Sequence, residues 1–489
     1  MTKPSVNRAS NPSTPATSVY LIPIVLVCLT LIGAALRFYH LDYNSLWLDE
    51  TSTYAFSNMS PIATFEAVLH GEWNPPLFYW LEHAIIMIMG ADEFTLRLIP
   101  AIAGTLTIPA FYLLGKEVYD DTTGLLMAVY ATISPYFVFY SQDARTYMVL
   151  IFVYTIALVC YLKALSQGGK TNRYWIVTGI VCSIACWLHF YACIGVAIIT
   201  LHALVTIYQR YRREFAFYSG AGSYIAAFTI PSLPLFYVLL TLVGKRVTQG
   251  VSWGQSSFQA ISEFFYFNAF MAEYLVVAFV VLFGIGYIIM IRDRWEVATL
   301  CTIGLIGILG ATLFVADIID MHSRYMMFCA PFAIIPVMGI FHSIPEVTAR
   351  RVWCAVFIII LVIPVVPFYG EYYTQYTKND WRGMTSDLTN ATTPGDWVVL
   401  LPAADQKQMA WYYDNVSDGT TLRKTNTQAG LEAIVAEWQE GGTGKIYFVK
   451  TENIYLYNNK SHSVTEWLQK RSQYLGQYAI RMEIYGGVQ

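Results

Sequence analysis

The sequence predicts a polytopic α-helical membrane protein with about eleven crossings plus interfacial helices and a C-terminal extracytoplasmic α/β domain. Two observations support this prediction. The 489 residues are 56% hydrophobic and 13% charged, whereas soluble proteins carry about 25% charged residues. Apolar runs long enough to cross a bilayer recur until about residue 370, where the composition becomes polar. This composition excludes a cytosolic enzyme, a disordered protein and a nucleic-acid-binding protein.

Eleven of twelve apolar runs are predicted to cross the membrane. The exception, 75–90, is short, begins with Pro75-Pro76 and contains Glu82, which is typical of a helix lying in the outer interface. The predicted crossings are 19–38, 98–115, 124–141, 147–164, 174–189, 191–208, 217–239, 272–291, 297–316, 325–342 and 352–369.

Basic residues predict the orientation, because they concentrate in cytoplasmic connections. If 75–90 does not cross, thirteen Lys and Arg residues of the connections lie on one side and six on the other. Residues 1–18 are then a cytoplasmic tail, 19–369 a transmembrane domain with its first outer loop at 39–97, and 370–489 an extracytoplasmic domain. We therefore expect a multi-pass plasma-membrane protein with a cytoplasmic N-terminus. The thirteen residues are Lys3, Arg8, Lys116, Lys163, Lys170, Arg173, Arg210, Arg212, Arg213, Arg292, Arg294, Arg350 and Arg351.

Strand-like and helix-like segments alternate beyond residue 370, which predicts a small α/β domain. Its predicted strands are 397–401, 446–449 and 477–485, and its predicted helices are 405–414 and 464–474. No glycine-rich nucleotide loop follows these strands. We therefore expect this domain to serve docking or stability rather than chemistry.

Two adjacent carboxylates, Asp49 and Glu50, follow Leu46-Trp47-Leu48 in a segment predicted to lie against the bilayer. Paired acids in an apolar setting can act as general bases or bind a cation. Both residues are therefore catalytic candidates, and the sequence does not distinguish which of them is the base.

A second candidate segment, Tyr140 to Tyr147, lies at the outer mouth between two predicted crossings. It combines a carboxylate, Asp143, with an arginine, Arg145, and two tyrosines within eight residues. This combination at a membrane surface predicts a substrate-binding site. The alternative is a structural ion pair between Asp143 and Arg145.

Two further outer segments contribute candidates. Arg324, with His322 and Tyr325, begins a predicted crossing and is a candidate phosphate ligand, because the guanidinium fork donates two parallel hydrogen bonds. The alternative is an interfacial anchor. The runs 174–189 and 191–208 must form a tight hairpin, which places His189 and Tyr191 at its outer tip.

Several motifs together resemble the GT-C membrane glycosyltransferases, in the branch of the protein O-mannosyltransferases and lipid A aminoarabinose transferases. Their order and spacing carry the resemblance, which covers most of the chain. The motifs are Leu36-Arg-Phe, Leu46-Trp-Leu-Asp-Glu50, Asn74-Pro-Pro-Leu-Phe-Tyr79, Leu96-Arg-Leu-Ile-Pro-Ala101, Tyr140-Ser-Gln-Asp-Ala-Arg145, His189-Phe-Tyr191, Arg324-Tyr325 and Asp380-Trp-Arg382.

The resemblance implies an enzyme that transfers a hexosyl or pentosyl group from a polyprenyl-phosphate carrier to a hydroxyl on protein, lipid or glycan at the outer surface, with inversion of the anomeric carbon. It implies Asp49 as the base, with Glu50 as the rival, and Asp143 as a group that helps to bind acceptor, donor or a divalent metal. No cofactor is certain; Asp49 and Asp143 are the candidate ligands of a possible divalent metal. The implied substrate-binding residues are Asn74, Asp143, Arg145, Tyr147, His189, Tyr191, His322, Arg324 and Tyr325.

The sequence departs from the family pattern before the Pro-Pro pair. The lipid A branch has a glutamate two residues before this pair, where this chain has Trp73, with Glu72 one residue further away. The protein-mannosylating branch often has His directly before the pair, where this chain has Asn74. The acceptor class and the metal therefore stay open.

The alternative function is a multi-pass transporter of a lipid-linked or small polar substrate. Transporters usually carry acids or broken glycine-rich helices near the bilayer midplane and show repeats between their halves. In this chain the charges gather at the outer ends of the crossings, with Glu273 as the main exception. A non-catalytic scaffold would not need the outer acids and arginines together. The pattern therefore favours surface chemistry over transport.

The orientation can be tested by labelling. A cysteine introduced near residue 415 should react with a membrane-impermeant thiol reagent in intact cells, because the basic residues place the C-terminal domain outside. Labelling only after lysis would contradict the predicted orientation.

Overall fold

The computed structural model describes residues 16–72, 74–167, 172–211, 214–249, 256–315, 322–413, 419–451, 461–478 and 482–487. The described part is mainly helical and contains one sheet near the C-terminus. Residues 1–15 of the predicted tail, Trp73, Lys170, Arg212, Arg213 and residue 415 lie outside the described residues.

The helices follow one another with short connections, and a π-helical segment, Ile207–Tyr211, and 3-10 segments, among them Ser323–Cys329 and Ile340–Ser343, continue some of them. In chain order they are α1 (Ala16–Phe38), α2 (Leu48–Ser57), α3 (Pro61–His70), α4 (Leu77–Met89), α5 (Glu93–Val118), α6 (Asp121–Ile133), α7 (Pro135–Ser141), α8 (Tyr147–Ser166), α9 (Arg173–Leu188), α10 (Ala192–Thr206), α11 (Phe215–Gln249), α12 (Ser257–Asn268), α13 (Glu273–Asp293), α14 (Trp295–Val315), α15 (Ala330–Gly339), α16 (Val347–Tyr372), α17 (Trp381–Ala391), α18 (Gln406–Tyr412), α19 (Gln428–Gly441) and α20 (Ser461–Arg471).

The predicted fold class is confirmed, with fewer spans than the eleven predicted. Nine helices of the described residues are long and apolar enough to cross a membrane, or ten if the bent pair α6 and α7 forms one span. The remaining predicted crossing, 174–189, is α9, whose 16 residues rise only about 24 Å at 1.5 Å per residue. The run 75–90, predicted to lie in the interface, contains the 13-residue helix α4. The nine are α1, α5, α8, α10, α11, α13, α14, the segment 323–343 and α16.

A buried arginine at the end of α1 stabilises the bend between α6 and α7. The two helices meet at 55°, where Pro135 lacks the N–H that would bond to the carbonyl of Ala131. Arg37 Nη2 donates to the Ala131 carbonyl at 2.7 Å, and Nη1 donates to that of Thr132 at 3.3 Å. Because backbone groups at membrane depth need partners within the protein, Arg37 makes this bend tolerable.

The centre of the bundle is formed by α5 with α6 and α8. Two glycines let α5 and α6 approach closely, because a Cβ atom on Gly115 would lie 2.8 Å from the Cα atom of Gly124. Carboxylates cap both helices: Asp92 accepts from Thr95 N at 2.6 Å and Asp120 from Thr123 N at 2.9 Å. The end of α5 that carries Arg97 thereby lies in the core.

The C-terminal sheet has five strands in the order β2-β1-β3-β5-β4. Strand β1 pairs in parallel with β2 and β3, whereas β5 pairs antiparallel with β3 and β4. One hydrophobic cluster lies on each face of the sheet, so helices cover both sides. The strands are β1 (Trp397–Leu401), β2 (Thr421–Lys424), β3 (Ile446–Thr451), β4 (Gln473–Tyr478) and β5 (Met482–Gly486).

The sequence predicted this domain incompletely. Strand β2 and helix α19 were not predicted, and the single strand predicted at 477–485 is the pair β4 and β5. The four residues of β2 are only half-buried or exposed, so they lack the apolar run that marks β1. The pair was merged because the sequence between its strands shows no strong turn signal.

The C-terminal domain rests on the segment 39–47, which connects α1 to α2. Leu46 N donates to the Tyr412 hydroxyl at 2.7 Å, Arg382 N donates to Ser45 Oγ at 3.1 Å, and Thr377 N donates to Asn44 Oδ1 at 2.9 Å. The domain therefore contacts the segment that leads directly to Asp49 and Glu50.

Candidate active site

Helix α2 presents the two adjacent acids to different surroundings. Successive residues of an α-helix point about 100° apart, so Asp49 and Glu50 cannot face the same group. Glu50 lies in the first turn and accepts a hydrogen bond from Trp47 N at 3.2 Å. This bond satisfies one of the free N–H groups at the helix start and turns Glu50 back into the protein.

Glu50 is the centre of a buried charge network. Arg97 Nε donates to Glu50 Oε1 at 2.7 Å, and Arg97 Nη2 donates to Oε2 at 2.9 Å, which makes a two-pronged pair. Lys378 Nζ and Ala144 N each donate to the same carboxylate at 2.9 Å. Burial alone raises the pKa of Glu50, but the charges of Arg97 and Lys378 and these hydrogen bonds outweigh it and hold the pKa well below its ordinary value. The Glu50 carboxylate is therefore held in its charged form, and both of its oxygens accept hydrogen bonds.

Asp49 faces the arginines instead. Its Oδ2 atom lies 3.2 Å from Arg324 Nη2, and the Asp49 side chain keeps 22% of its exposure. Arg145 Nη1 donates to the Asp49 carbonyl and to Thr53 Oγ1, both at 3.3 Å. One partly accessible carboxylate thus stands beside two guanidinium groups.

Aromatic rings enclose the two arginines. The Arg324 guanidinium carbon lies 5.5–5.8 Å from the ring centres of Trp47, Tyr147 and Tyr325. The Tyr325 ring in turn contacts His322, His189 and Tyr191, with ring centres 5.2–5.5 Å apart. Eight predicted site residues thereby lie around one place. They are Asp49, Arg145, Tyr147, His189, Tyr191, His322, Arg324 and Tyr325.

Some buried polar atoms of this place have no hydrogen-bond partner, among them Asp49 Oδ2, Asp143 Oδ2, Arg145 Nε and Arg324 Nε. Native proteins seldom bury polar atoms unpaired, so such atoms point to a ligand that completes them. Among the described residues, no carboxylate forms an ion pair with Arg145. The two arginines therefore carry more positive charge than Asp49 balances, which favours an anionic ligand.

His189 is a neutral member of the site. Burial, followed by the charges of Arg145 and Arg324, lowers its pKa to about 3. Its Nδ1 atom accepts from Tyr191 N at 3.2 Å, so the proton of the neutral ring lies on Nε2. His189 can donate a hydrogen bond to a ligand without adding charge.

Asp143 lies next to this place but pairs with a residue that the sequence did not indicate. Trp47 Nε1 donates to Asp143 Oδ1 at 2.6 Å, and Lys378 Nζ donates to the same atom at 3.0 Å. The alternative ion pair between Asp143 and Arg145 is not formed. Lys378 was missed because a lysine in a polar linker carries no local signal of burial.

The candidate metal ligands, Asp49 and Asp143, already have cationic partners of the chain, Arg324 and Lys378. Divalent cations are held by several oxygen, nitrogen or sulfur ligands together. Across the described ranges, no group of three or more His, Cys, Asp and Glu side chains comes together. The residues present at this site therefore do not fit a divalent metal.

Asn74 stands at the edge of the site. Its amide donates to Glu72 Oε1 at 2.9 Å, and the Tyr79 hydroxyl donates to the same atom at 2.7 Å. Asn74, Tyr79 and Arg145 line one small cavity together with Phe78, Thr146 and Leu188. The Pro-Pro segment therefore reaches Arg145, and Glu72 orients it through Asn74 and Tyr79.

A cleft of about 640 Å³ lies between α2, the start of α5 and the C-terminal domain. Its wall includes Thr51, two residues after Asp49, and the aromatic residues Tyr54 and Trp411. A cavity of this volume accommodates a small molecule or part of a larger one. The remaining lining residues are Ala55, Ala91, Asp92, Glu93, Arg382, Lys407, Ala410 and Tyr412.

Three polar residues of the C-terminal domain, Asp380, Arg382 and Asp405, have structural contacts. Asp380 accepts from Gly383 N at 2.9 Å and begins α17. Arg382 Nη2 pairs with Glu93 at 2.5 Å, and Asp405 accepts from Gln408 Nε2 at 3.2 Å inside the domain.

The helical bundle and the C-terminal sheet domain share the fold of the GT-C glycosyltransferases. Residues 73–234, about a third of the chain, match the family described as dolichyl-phosphate-mannose-protein mannosyltransferase. A curated protein of Aquifex aeolicus (strain VF5), described as uncharacterized, is 28% identical over 148 residues. That match covers 29% of this chain and 30% of the relative, so the chain spans less than a third of the relative's length in it.

Two solved structures share the fold over most of the chain. ArnT from Cupriavidus metallidurans, bound to undecaprenyl phosphate, is 12% identical, with a TM-score of 0.57 and coverage of 97% of this chain and 99% of that one. The Archaeoglobus fulgidus oligosaccharyltransferase AglB, in complex with an inhibitory peptide and a dolichol-phosphate, is 14% identical, with a TM-score of 0.53 and coverage of 88% and 70%. At these identities the likeness concerns the fold. The resemblance predicted from the motifs is confirmed.

The network around Glu50 should determine stability. Replacing Glu50 with Gln leaves Arg97 and Lys378 without their shared anion in a buried place, which typically costs about 3–5 kcal/mol. We expect a clearly lower thermal denaturation midpoint in detergent, measured by intrinsic fluorescence. Glu66→Gln, which changes an exposed acid on α3, is the matched control, and an equal midpoint for both variants would contradict this role.

Proposed function

We propose that the protein transfers a sugar from a polyprenyl-phosphate carrier to a hydroxyl acceptor at the outer surface of the membrane. The observation that supports this most is the pair of buried arginines, Arg145 and Arg324, next to the accessible carboxylate Asp49. Guanidinium groups with unpaired donors suit the phosphate of such a carrier. Two proteins of the same fold have been solved with undecaprenyl phosphate and with a dolichol-phosphate.

In this proposal the site faces the outside. Residues 1–18 are cytoplasmic, whereas 39–97 and 370–489 lie on the outer side, as the distribution of basic residues predicts. The charged site is built from segments at one end of the bundle, together with the linker to the C-terminal domain. The carrier phosphate would therefore meet the arginines where the bilayer ends.

Asp49 is the proposed base. An alcohol attacks poorly unless its proton is removed as the bond forms, and a carboxylate within reach can accept that proton. Asp49 retains accessibility and has one ion-pair partner, Arg324. Glu50, the rival, is fully buried and accepts hydrogen bonds from Arg97, Lys378 and two backbone amides, which leaves it no free position for a substrate proton.

The proposed reaction is one displacement with inversion. The acceptor oxygen attacks the anomeric carbon while Asp49 takes its proton, and the carbon–oxygen bond to the carrier phosphate breaks. The phosphate monoester leaves with the electron pair, stabilised by Arg324 and Arg145, so no general acid is needed. A second carboxylate acting as a covalent nucleophile, as in retaining glycosidases, is not required.

The acceptor is proposed to approach from the cleft between α2 and the C-terminal domain. The cleft lies between α2 and the domain, and Thr51, Tyr54 and Ala55 line it from α2. Its aromatic and charged lining offers stacking and hydrogen bonding to a sugar, peptide or lipid head group. The C-terminal domain would then serve acceptor docking, in keeping with the structural contacts of Asp380, Arg382 and Asp405.

The chemical step is tested by Asp49→Asn, which keeps the shape of the side chain and removes the base. We expect the transfer rate in detergent to fall by about 10²–10⁴-fold, with the affinity for the carrier retained. Asp42→Asn, an exposed acid of the same loop, should leave the rate unchanged. Normal turnover of Asp49→Asn together with an inactive but folded Glu50→Gln variant would assign the base to Glu50.

Donor binding is tested by Arg324→Ala. The loss of one charge-assisted phosphate contact costs roughly 1.5–3 kcal/mol, so we expect the KM for the polyprenyl-phosphate sugar to rise about tenfold or more. Arg351→Ala, which removes an exposed arginine at the other end of the bundle, is the control. An unchanged KM in a folded Arg324→Ala variant would remove this residue from the donor site.

A further inference from the structure

We propose that Lys378, carried by the linker between the last span and the C-terminal domain, is a positioning residue of the donor site. It acts through Asp143 and Trp47, which hold Arg324 in place. This inference rests on the proposed function, since it assigns Lys378 a role at the same site. It also goes beyond it, because it makes the docked C-terminal domain part of the donor site.

The Lys378 side chain is buried between two carboxylates. Lys378 Nζ lies 2.9 Å from Glu50 Oε2 and 3.0 Å from Asp143 Oδ1. Its side chain is 10% exposed, and those of the two carboxylates are 0% and 1% exposed. A surface linker seldom buries a lysine side chain, so the burial indicates a specific task.

The two carboxylates beside Lys378 differ in their other counter-charges. Glu50 already has a counter-charge, because Arg97 holds both of its oxygens. Among the described residues, the other side chain that bonds to Asp143 is the neutral indole of Trp47. Lys378 therefore supplies the positive charge of Asp143, and without it a buried carboxylate stands uncompensated. The other ionisable groups acting on Asp143 are Glu50, Arg97, Tyr140 and Tyr372.

Trp47 connects the Lys378–Asp143 pair to Arg324. Trp47 Nε1 donates to the same Asp143 oxygen that accepts from Lys378, which fixes the plane of the indole. The Arg324 guanidinium carbon lies 5.5 Å from the centre of that ring, at the distance of a cation–π contact. A chain of direct contacts thus runs from Lys378 through Asp143 and Trp47 to Arg324.

Asn44 brings the linker, and with it Lys378, to this place. The backbone N–H groups of Thr377 and Lys378 both donate to Asn44 Oδ1, at 2.9 and 3.3 Å. Three residues after Asn44 the same segment reaches Trp47 itself. Because Asn44 holds the linker against this loop, the Lys378 side chain reaches Asp143.

The test compares four variants in the full-length protein. Lys378→Met removes the charge at similar volume, Lys378→Arg keeps it, and Lys378→Met with Asp143→Asn removes both buried charges while an amide oxygen still accepts from Trp47. Lys470→Met, an exposed lysine paired with Glu466 on α20, is the matched control. For each folded variant, the KM values for donor and acceptor and kcat are measured.

We expect Lys378→Met to raise the donor KM roughly tenfold or more, since small displacements of binding groups are costly, and to leave the acceptor KM unchanged. Lys378→Arg and the double variant should recover most of this loss, and Lys470→Met should match the unsubstituted protein. A double variant no better than Lys378→Met, or equal changes in both KM values, would show that Lys378 only anchors the linker and would overturn the proposal.

A second measurement separates this inference from the proposed function. Binding of undecaprenyl phosphate alone to the purified variants, measured by native mass spectrometry, does not require transfer. If the unsubstituted protein binds this lipid but transfers no sugar from any carrier, the proposed reaction fails. The Lys378 inference then still stands or falls on whether Lys378→Met weakens lipid binding and the double variant restores it.

Discussion

The bonding of the Glu50 carboxylate to Arg97 is the interaction on which the charged site of this protein depends. Arg97 also donates to the carbonyls of Leu41 and Asn44 at 2.8 Å, so one guanidinium joins the span α5, the start of α2 and the connecting loop. A buried ion pair costs much desolvation and contributes little net stability by itself. Its value here is geometric, because it orients α2 and the loop before it and, through Ala144 and Lys378, the segment of Asp143 and the linker.

Adjacent positions on one helix turn explain how two acids acquire different tasks. Glu50 is turned inward and saturated with donors, whereas Asp49 is turned toward the arginines and stays accessible. The charge balance of the site follows from this division. With Glu50 neutralised by Arg97, and Asp143 by Lys378, the excess positive charge of Arg145 and Arg324 is left for an anionic ligand.

The broken helix and the domain contact extend the same principle to the rest of the chain. Arg37 satisfies the carbonyls freed by Pro135, and Gln142, which follows α7, donates to the Arg37 carbonyl at 3.0 Å. The bend between α6 and α7 thus holds the segment that carries Asp143 through Gln142 and Arg37. Lys378 of the linker holds the same segment through Asp143, so both the helical bundle and the C-terminal part of the chain set its position.

The sequence by itself determined the membrane class, the order of most spans and the segments that carry the site, because apolar runs, basic clusters and short outer motifs are local signals. Eight predicted residues from four segments lie together. Tertiary structure alone decided which charges pair: Lys378 with Asp143, 235 positions away, Glu50 with Arg97, and Asp49 with Arg324. The physical reason is that burial and helix rotation, rather than proximity along the chain, determine which group neutralises a charge. For the same reason no local pattern could show that Lys378 is buried or that Asp143 and Arg145, two residues apart, do not pair.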